Sequence, residues 1–101
     1  MAKQIYSIDE LQTCLIPVFQ QYGVKKAVLF GSYGKGTATA SSDVDLMVDS
    51  GLKGLRFVGL LQAVKEALGN KEVDLLDVSH IEKNSRVENE IHNTGVLLYG
   101  E

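Results

Sequence analysis

The stretch Gly31-Ser32-Tyr33-Gly34-Lys35-Gly36-Thr37-Ala38-Thr39-Ala40-Ser41-Ser42-Asp43-Val44-Asp45-Leu46 decides how this chain is read. It follows the apolar run Ala27-Val28-Leu29-Phe30 directly, so a glycine-serine turn leaves the end of a buried strand. A short spacer then leads to two aspartates one residue apart, at the head of a second apolar run. This order predicts a phosphate cradle and a pair of carboxylates at neighbouring strand ends, the parts needed to hold a metal-bound nucleoside triphosphate.

Side chains at i and i+2 of a strand share a face about 7 Å apart. Two ionised carboxylates at that separation repel by roughly 2–3 kcal/mol at an effective dielectric near 20. Asp43 and Asp45 are therefore a natural place for Mg²⁺, which prefers hard oxygens and completes its shell with substrate phosphates. A third carboxylate is expected from Val73-Asp74-Leu75-Leu76-Asp77. Asp74 and Asp77 have opposite parity on that strand, so only one can share the cluster's face, and parity alone leaves both open. At the turn, glycine lets backbone N–H groups come close to phosphate oxygens, and Ser32 adds a hydroxyl. Lys35 either reaches a phosphate or stays solvated. The pattern is neither a Walker A loop nor a dinucleotide fingerprint: no Gly-Lys-Ser/Thr follows at the required spacing, and Gly31, Gly34 and Gly36 are spaced wrongly.

Around this segment, Ser7-Ile8-Asp9-Glu10 reads as a capping box. It opens a helix carrying Leu11, Leu15, Val18, Phe19 and Tyr22 on one face and ending at Gly23. Pro17 predicts a kink, or a shorter helix that begins near it. Strands are expected over 26–30, 44–48 and 73–78, with a short helix or turn at 32–37. Phe57, Leu60, Leu61, Val64, Ala67 and Leu68 mark an amphipathic helix stopped by Gly69-Asn70. Ser79-His80-Ile81-Glu82 reads as a second capping box before a polar helix reaching about Asn93, and Val96–Tyr99 as a strand or docking segment. The expected fold is a small mixed α/β (α+β) domain covering 1–101. Its sheet has three to four strands, with helices packed mainly on one face.

Bulk properties narrow the class. With 101 residues, 45% of them hydrophobic, the chain supports one core. A net charge of −3 with no Lys/Arg cluster argues against a nucleic-acid footprint. The lone Cys14 excludes an intrachain disulfide and is expected to pack against its helix's neighbours. No signal-peptide pattern and no apolar run near 18 residues is present, so a cytoplasmic, membrane-free protein is expected. Asp49 and Asp77 read as exposed strand-end charges, His80 and His92 as surface or capping residues, and Tyr33 and Tyr99 as core or interface.

Together, Leu29-Phe30-Gly31-Ser32, Ser42-Asp43-Val44-Asp45-Leu46 and Val73-Asp74-Leu75 resemble the polymerase-β-type nucleotidyltransferase superfamily. More narrowly, the chain is similar to the minimal nucleotidyltransferases, the antitoxin half of HEPN–MNT toxin–antitoxin modules. The resemblance implies transfer of AMP from ATP to a hydroxyl, usually a tyrosine, on a partner HEPN ribonuclease. It assigns triphosphate binding to Gly31 and Ser32, with Lys35 beside them. It also assigns two Mg²⁺ ions to Asp43, Asp45 and Asp74, the last helping to activate the acceptor. Many relatives carry arginines where this chain has Tyr33 and Lys35, and lysine lacks arginine's bidentate geometry. The alternatives are an antitoxin that neutralises its toxin by binding alone, and transfer to a small molecule. The second is disfavoured because no added acceptor domain is evident. A sheet face left open by two amphipathic helices predicts completion by a dimer mate or the partner protein.

Overall fold

A computed structural model describes residues 6–36, 38–39 and 42–100. The elements run α1 (Ile8–Tyr22), β1 (Lys26–Phe30), α2 (Gly31–Lys35), β2 (Val44–Asp49), α3 (Leu55–Ala67), β3 (Val73–Asp77), a 3₁₀ turn (Val78–His80), α4 (Arg86–Thr94) and β4 (Val96–Tyr99). The four strands form one mixed sheet in the order β3-β2-β1-β4. β1 pairs antiparallel with β2 and β4, whereas β2 and β3 are parallel, as the α3 crossover between them requires.

α1 opens with the expected capping box: Glu10 N–H donates to Ser7 Oγ, and Ser7 N–H donates to Glu10 Oε1. It closes at Gly23, whose φ of +69° suits only a residue without Cβ strain. The helix continues through Pro17 rather than starting near it. Three of its residues at i, i+4 spacing, Leu11, Leu15 and Phe19, are fully buried. They meet Leu60, Val64 and Leu68 of the α3 segment over Ala27, Leu29, Val44, Leu46, Val48, Val73 and Leu75 of the sheet. This is the core, and it occupies one face.

Strand alternation sends the remaining side chains to the opposite face. Two rows cross that face: Phe30–Asp45–Asp74 and Val28–Met47–Leu76, each a set of direct register partners. α4 covers part of this face above β1, close enough that a Cβ on Gly95 would press on Val28 Cγ1 at 2.9 Å. The sheet is thus covered by its two long helices on one side and partly by α4 on the other.

The segment before α4 differs from its expected form. Ser79 does not begin the helix, because its N–H and hydroxyl both donate to Asp77 Oδ2, at 3.0 and 2.7 Å. His80 Nδ1 accepts from Asp77 N–H, so this histidine caps a 3₁₀ turn. Asn84 then adopts a φ of +64°, which interrupts any helix, and α4 starts only after Ser85, whose Oγ accepts from Glu88 N–H. Among the described residues, no helix is long and apolar enough to cross a membrane.

Candidate active site

The site lies where β1 ends and β2 and β3 begin. Asp45 is half-buried on β2, and Asp74 is its register partner on β3. The two share a face and, when one carboxyl is protonated, a hydrogen bond. This decides between the two β3 aspartates: Asp74 joins the cluster and Asp77 does not. Contrary to its reading as an exposed strand-end charge, Asp77 is only 2% exposed and points to the core side. Its Oδ1 accepts from Ser50 N–H (3.0 Å) and Ser50 Oγ (2.6 Å), and its Oδ2 from Ser79. Burial pushes its pKa up, but these donors outweigh it and hold the carboxyl well below the usual range. Asp77 is a structural clamp joining the far ends of β2 and β3.

Asp45 is perturbed the other way. Burial first, then the charge and hydrogen bond of Asp74, then the charges of Glu90 and Asp43, raise its pKa to about 6. Asp43 is exposed, in the segment entering β2. Four carboxylates therefore bear on one point, and below about pH 6 the chain by itself relieves the repulsion by holding a proton there. A divalent cation would do the same with hard-oxygen ligands, so the donor chemistry fits Mg²⁺. Among the described residues, no three such side chains close around one point. An ion seated here would draw its remaining ligands from water and substrate phosphates, as Mg²⁺ usually does.

Gly31 is the other half. It begins α2 with a φ of +68°, and its Cα faces Asp45: a Cβ there would collide with Asp45 Oδ2. Only glycine lets the turn and the carboxylate occupy neighbouring space. Ser32 follows at the first turn of α2, half-buried beside it. Lys35 ends α2, and its side chain lies outside the described residues, as do Thr37, Ala40 and Ser41 of the spacer. Tyr33 belongs to the core, 6% exposed, with Lys71 Nζ 5.8 Å from its ring centre.

A family model described as "Polymerase beta, Nucleotidyltransferase" matches residues 14–101. The chain belongs to this nucleotidyltransferase family. It is 38% identical over 77 residues to a Methanocaldococcus jannaschii protein that carries the name of a protein adenylyltransferase, covering 74% of this chain and 82% of that one. A chain from the crystal structure of a toxin–antitoxin complex with AMP-PNP matches with a TM-score of 0.73 and 27% identity, over 89% of this chain and 73% of its own length. A third, from the complex of tri-AMPylated Shewanella oneidensis HEPN toxin with MNT antitoxin, has the same fold. Its TM-score is 0.68 at 23% identity, over 93% of this chain and 73% of that one.

Two residues of this nucleotidyltransferase domain went unassigned in the sequence. Glu90 and Thr94 lie one turn apart on the same face of α4. Glu90 bears on Asp45, and Thr94 Oγ1 accepts from Gly31 N–H at 3.3 Å. Their i, i+4 spacing was the only available signal, and nothing in it points to β2.

Proposed function

We propose that this chain transfers AMP from ATP to a hydroxyl, a tyrosine by preference, of a partner HEPN-type ribonuclease toxin, and so acts as its antitoxin. The observation that carries this reading is the Asp45–Asp74 register pair facing Gly31 across a gap that only glycine leaves open. The adenylyltransferase name of the archaeal relative and the AMP-PNP in the related toxin–antitoxin complex favour adenosine and a protein acceptor.

In this reading Gly31 and Ser32 orient the triphosphate with its α-phosphate toward Asp45. Asp43, Asp45 and Asp74 would hold two Mg²⁺ ions, which supply charge neutralisation for the attacking and leaving oxygens when bound. The acceptor oxygen approaches from the open side of β3, where Asp74 is exposed and takes its proton. A bond forms from that oxygen to the α-phosphorus, the bond to the β-phosphate oxygen breaks, and pyrophosphate leaves. Turnover falls at low pH, where Asp45 retains its proton.

The direct test is incubation with α-labelled ATP, Mg²⁺ and the cognate toxin. The expected result is label on the toxin, lost with Asp43→Asn or Asp45→Asn. Transfer that survives both substitutions refutes the reading. Neutralisation by binding alone is favoured by one feature, a groove of about 180 Å³ lined by Met47, Val78, Ile81, Glu88 and Ile91. Protection of cells by the Asp43/Asp45 double variant would establish that alternative.

A further inference from the structure

We infer that Thr94 is a positioning residue for the triphosphate turn, holding Gly31 in its binding conformation from the neighbouring helix. The inference rests on the proposal that Gly31 and Ser32 bind the nucleotide. α2 begins without a local cap: its N-cap residue is Phe30, which brings no side-chain acceptor. The Gly31 amide donates instead to Thr94 Oγ1, 63 residues away in sequence, at 3.3 Å. Thr94 is fixed for this task, because its own hydroxyl proton goes to Glu90 O at 2.7 Å. With the proton committed inside α4, the oxygen presents a lone pair to Gly31 and cannot turn away without losing a bond.

The approach is close by construction. A Cβ on Gly34 would collide with Thr94 O, so the middle of α2 lies directly under the end of α4. A Cβ on Gly95 would collide with Ile91 O and press on Val28, so the exit from α4 is equally tight against β1. The Thr94 hydroxyl therefore sits on a packed helix end. It fixes the peptide plane entering Gly31, and that plane sets the direction of the amides that follow.

Thr94→Val keeps the shape of the side chain and deletes the oxygen. Losing one neutral hydrogen bond to a backbone amide corresponds to about a fivefold change in an equilibrium. The expected result is about fivefold weaker binding of AMP-PNP with Mg²⁺ by titration calorimetry. In the transfer assay KM for ATP rises by a similar factor, while kcat stays within about twofold. Thr94→Ser retains the hydroxyl and restores affinity. Ser32→Ala, measured in parallel, tests the underlying reading: unchanged AMP-PNP affinity there overturns the turn's role and this inference with it. If Ser32→Ala weakens binding but Thr94→Val does not, only this inference fails. Equal losses for valine and serine, or a fall in kcat alone, also overturn it. Should the valine variant not fold, Thr94→Ala against Thr94→Ser carries the same comparison.

Discussion

Replacing Asp45 by asparagine should abolish transfer and yet make the protein more stable at neutral pH. In the unfolded chain this carboxyl titrates near its ordinary value of 3.8, and in the fold at about 6. Between those values the folded protein holds a proton that the unfolded chain has released, so each rise in pH through this window costs stability. Above pH 6 the full penalty is in place. A displacement of this size corresponds to about 3 kcal/mol at most, and partial exposure of Asp45 to solvent reduces it to about 1–2 kcal/mol. Asparagine keeps the shape and cannot ionise, so the variant escapes the penalty. Urea unfolding without divalent cations should give nearly equal stabilities for the two proteins at pH 4. At pH 7.5 the variant should lead by about 1–2 kcal/mol, or roughly 5–10 °C in melting temperature for a chain of this length. A variant no more stable than wild type at pH 7.5, or one whose lead is the same at both pH values, would refute the argument that Asp45 is held under electrostatic strain.

Gly31→Ala combines a positive φ with overlap on Asp45 Oδ2 and should cost about 2–4 kcal/mol. Gly36→Ala, at φ +76° with open space around it, carries only the backbone cost of about 1 kcal/mol. Thermal melts of the pair separate the two contributions, and in an Asp45→Ala background the gap between them should close. Asp77→Ala strands the buried donors of Ser50, frees those of exposed Ser79, and should destabilise by about 2–3 kcal/mol while leaving AMP-PNP affinity within about twofold. Because the folded pKa of Asp77 is depressed, its contribution is complete above about pH 4 and is lost as pH falls further. Urea unfolding should therefore show the deficit of this variant shrinking in acid.

What was legible in the sequence followed from period and local chemistry. Capping at Ser7, the stop at Gly23 and the strands around Ala27–Phe30 and Val44–Val48 need only neighbours within a few residues to be read. The two motif halves were legible because strand parity is local: Asp43 and Asp45 flank Val44, and Val44 is buried. Asp74 against Asp77 was not legible, because parity fixes a difference between them and only the register with β2 fixes which is which. Ser79 misled for a related reason. A serine followed three residues later by an acid signals a helix start only if its side chain is free, and here Asp77 takes it. Thr94 and Glu90 were beyond local reading, since their roles arise from how α4 docks on β1.

The alternation of β2 explains how so small a domain tolerates a strained site. Val44, Leu46 and Val48 are wholly buried among α1, α3 and the neighbouring strands, so the core is continuous along the strand. Asp45 and Met47 project from the same backbone to the other face, where burial is partial and α4 can be placed for function. The repulsion around Asp45 is therefore borne by a strand whose other face is fully packed, and whose far end is clamped by Asp77 to Ser50 and Ser79. Weakening that clamp should lower stability without moving the carboxylates, and relieving the carboxylates should raise stability without touching the core. The Asp77→Ala and Asp45→Asn variants test this separation together: if the faces are independent, their effects on stability add to within about 0.5 kcal/mol at pH 7.5. A larger coupling would mean that register strain passes from one end of β2 to the other, and that the site and the clamp work as one unit.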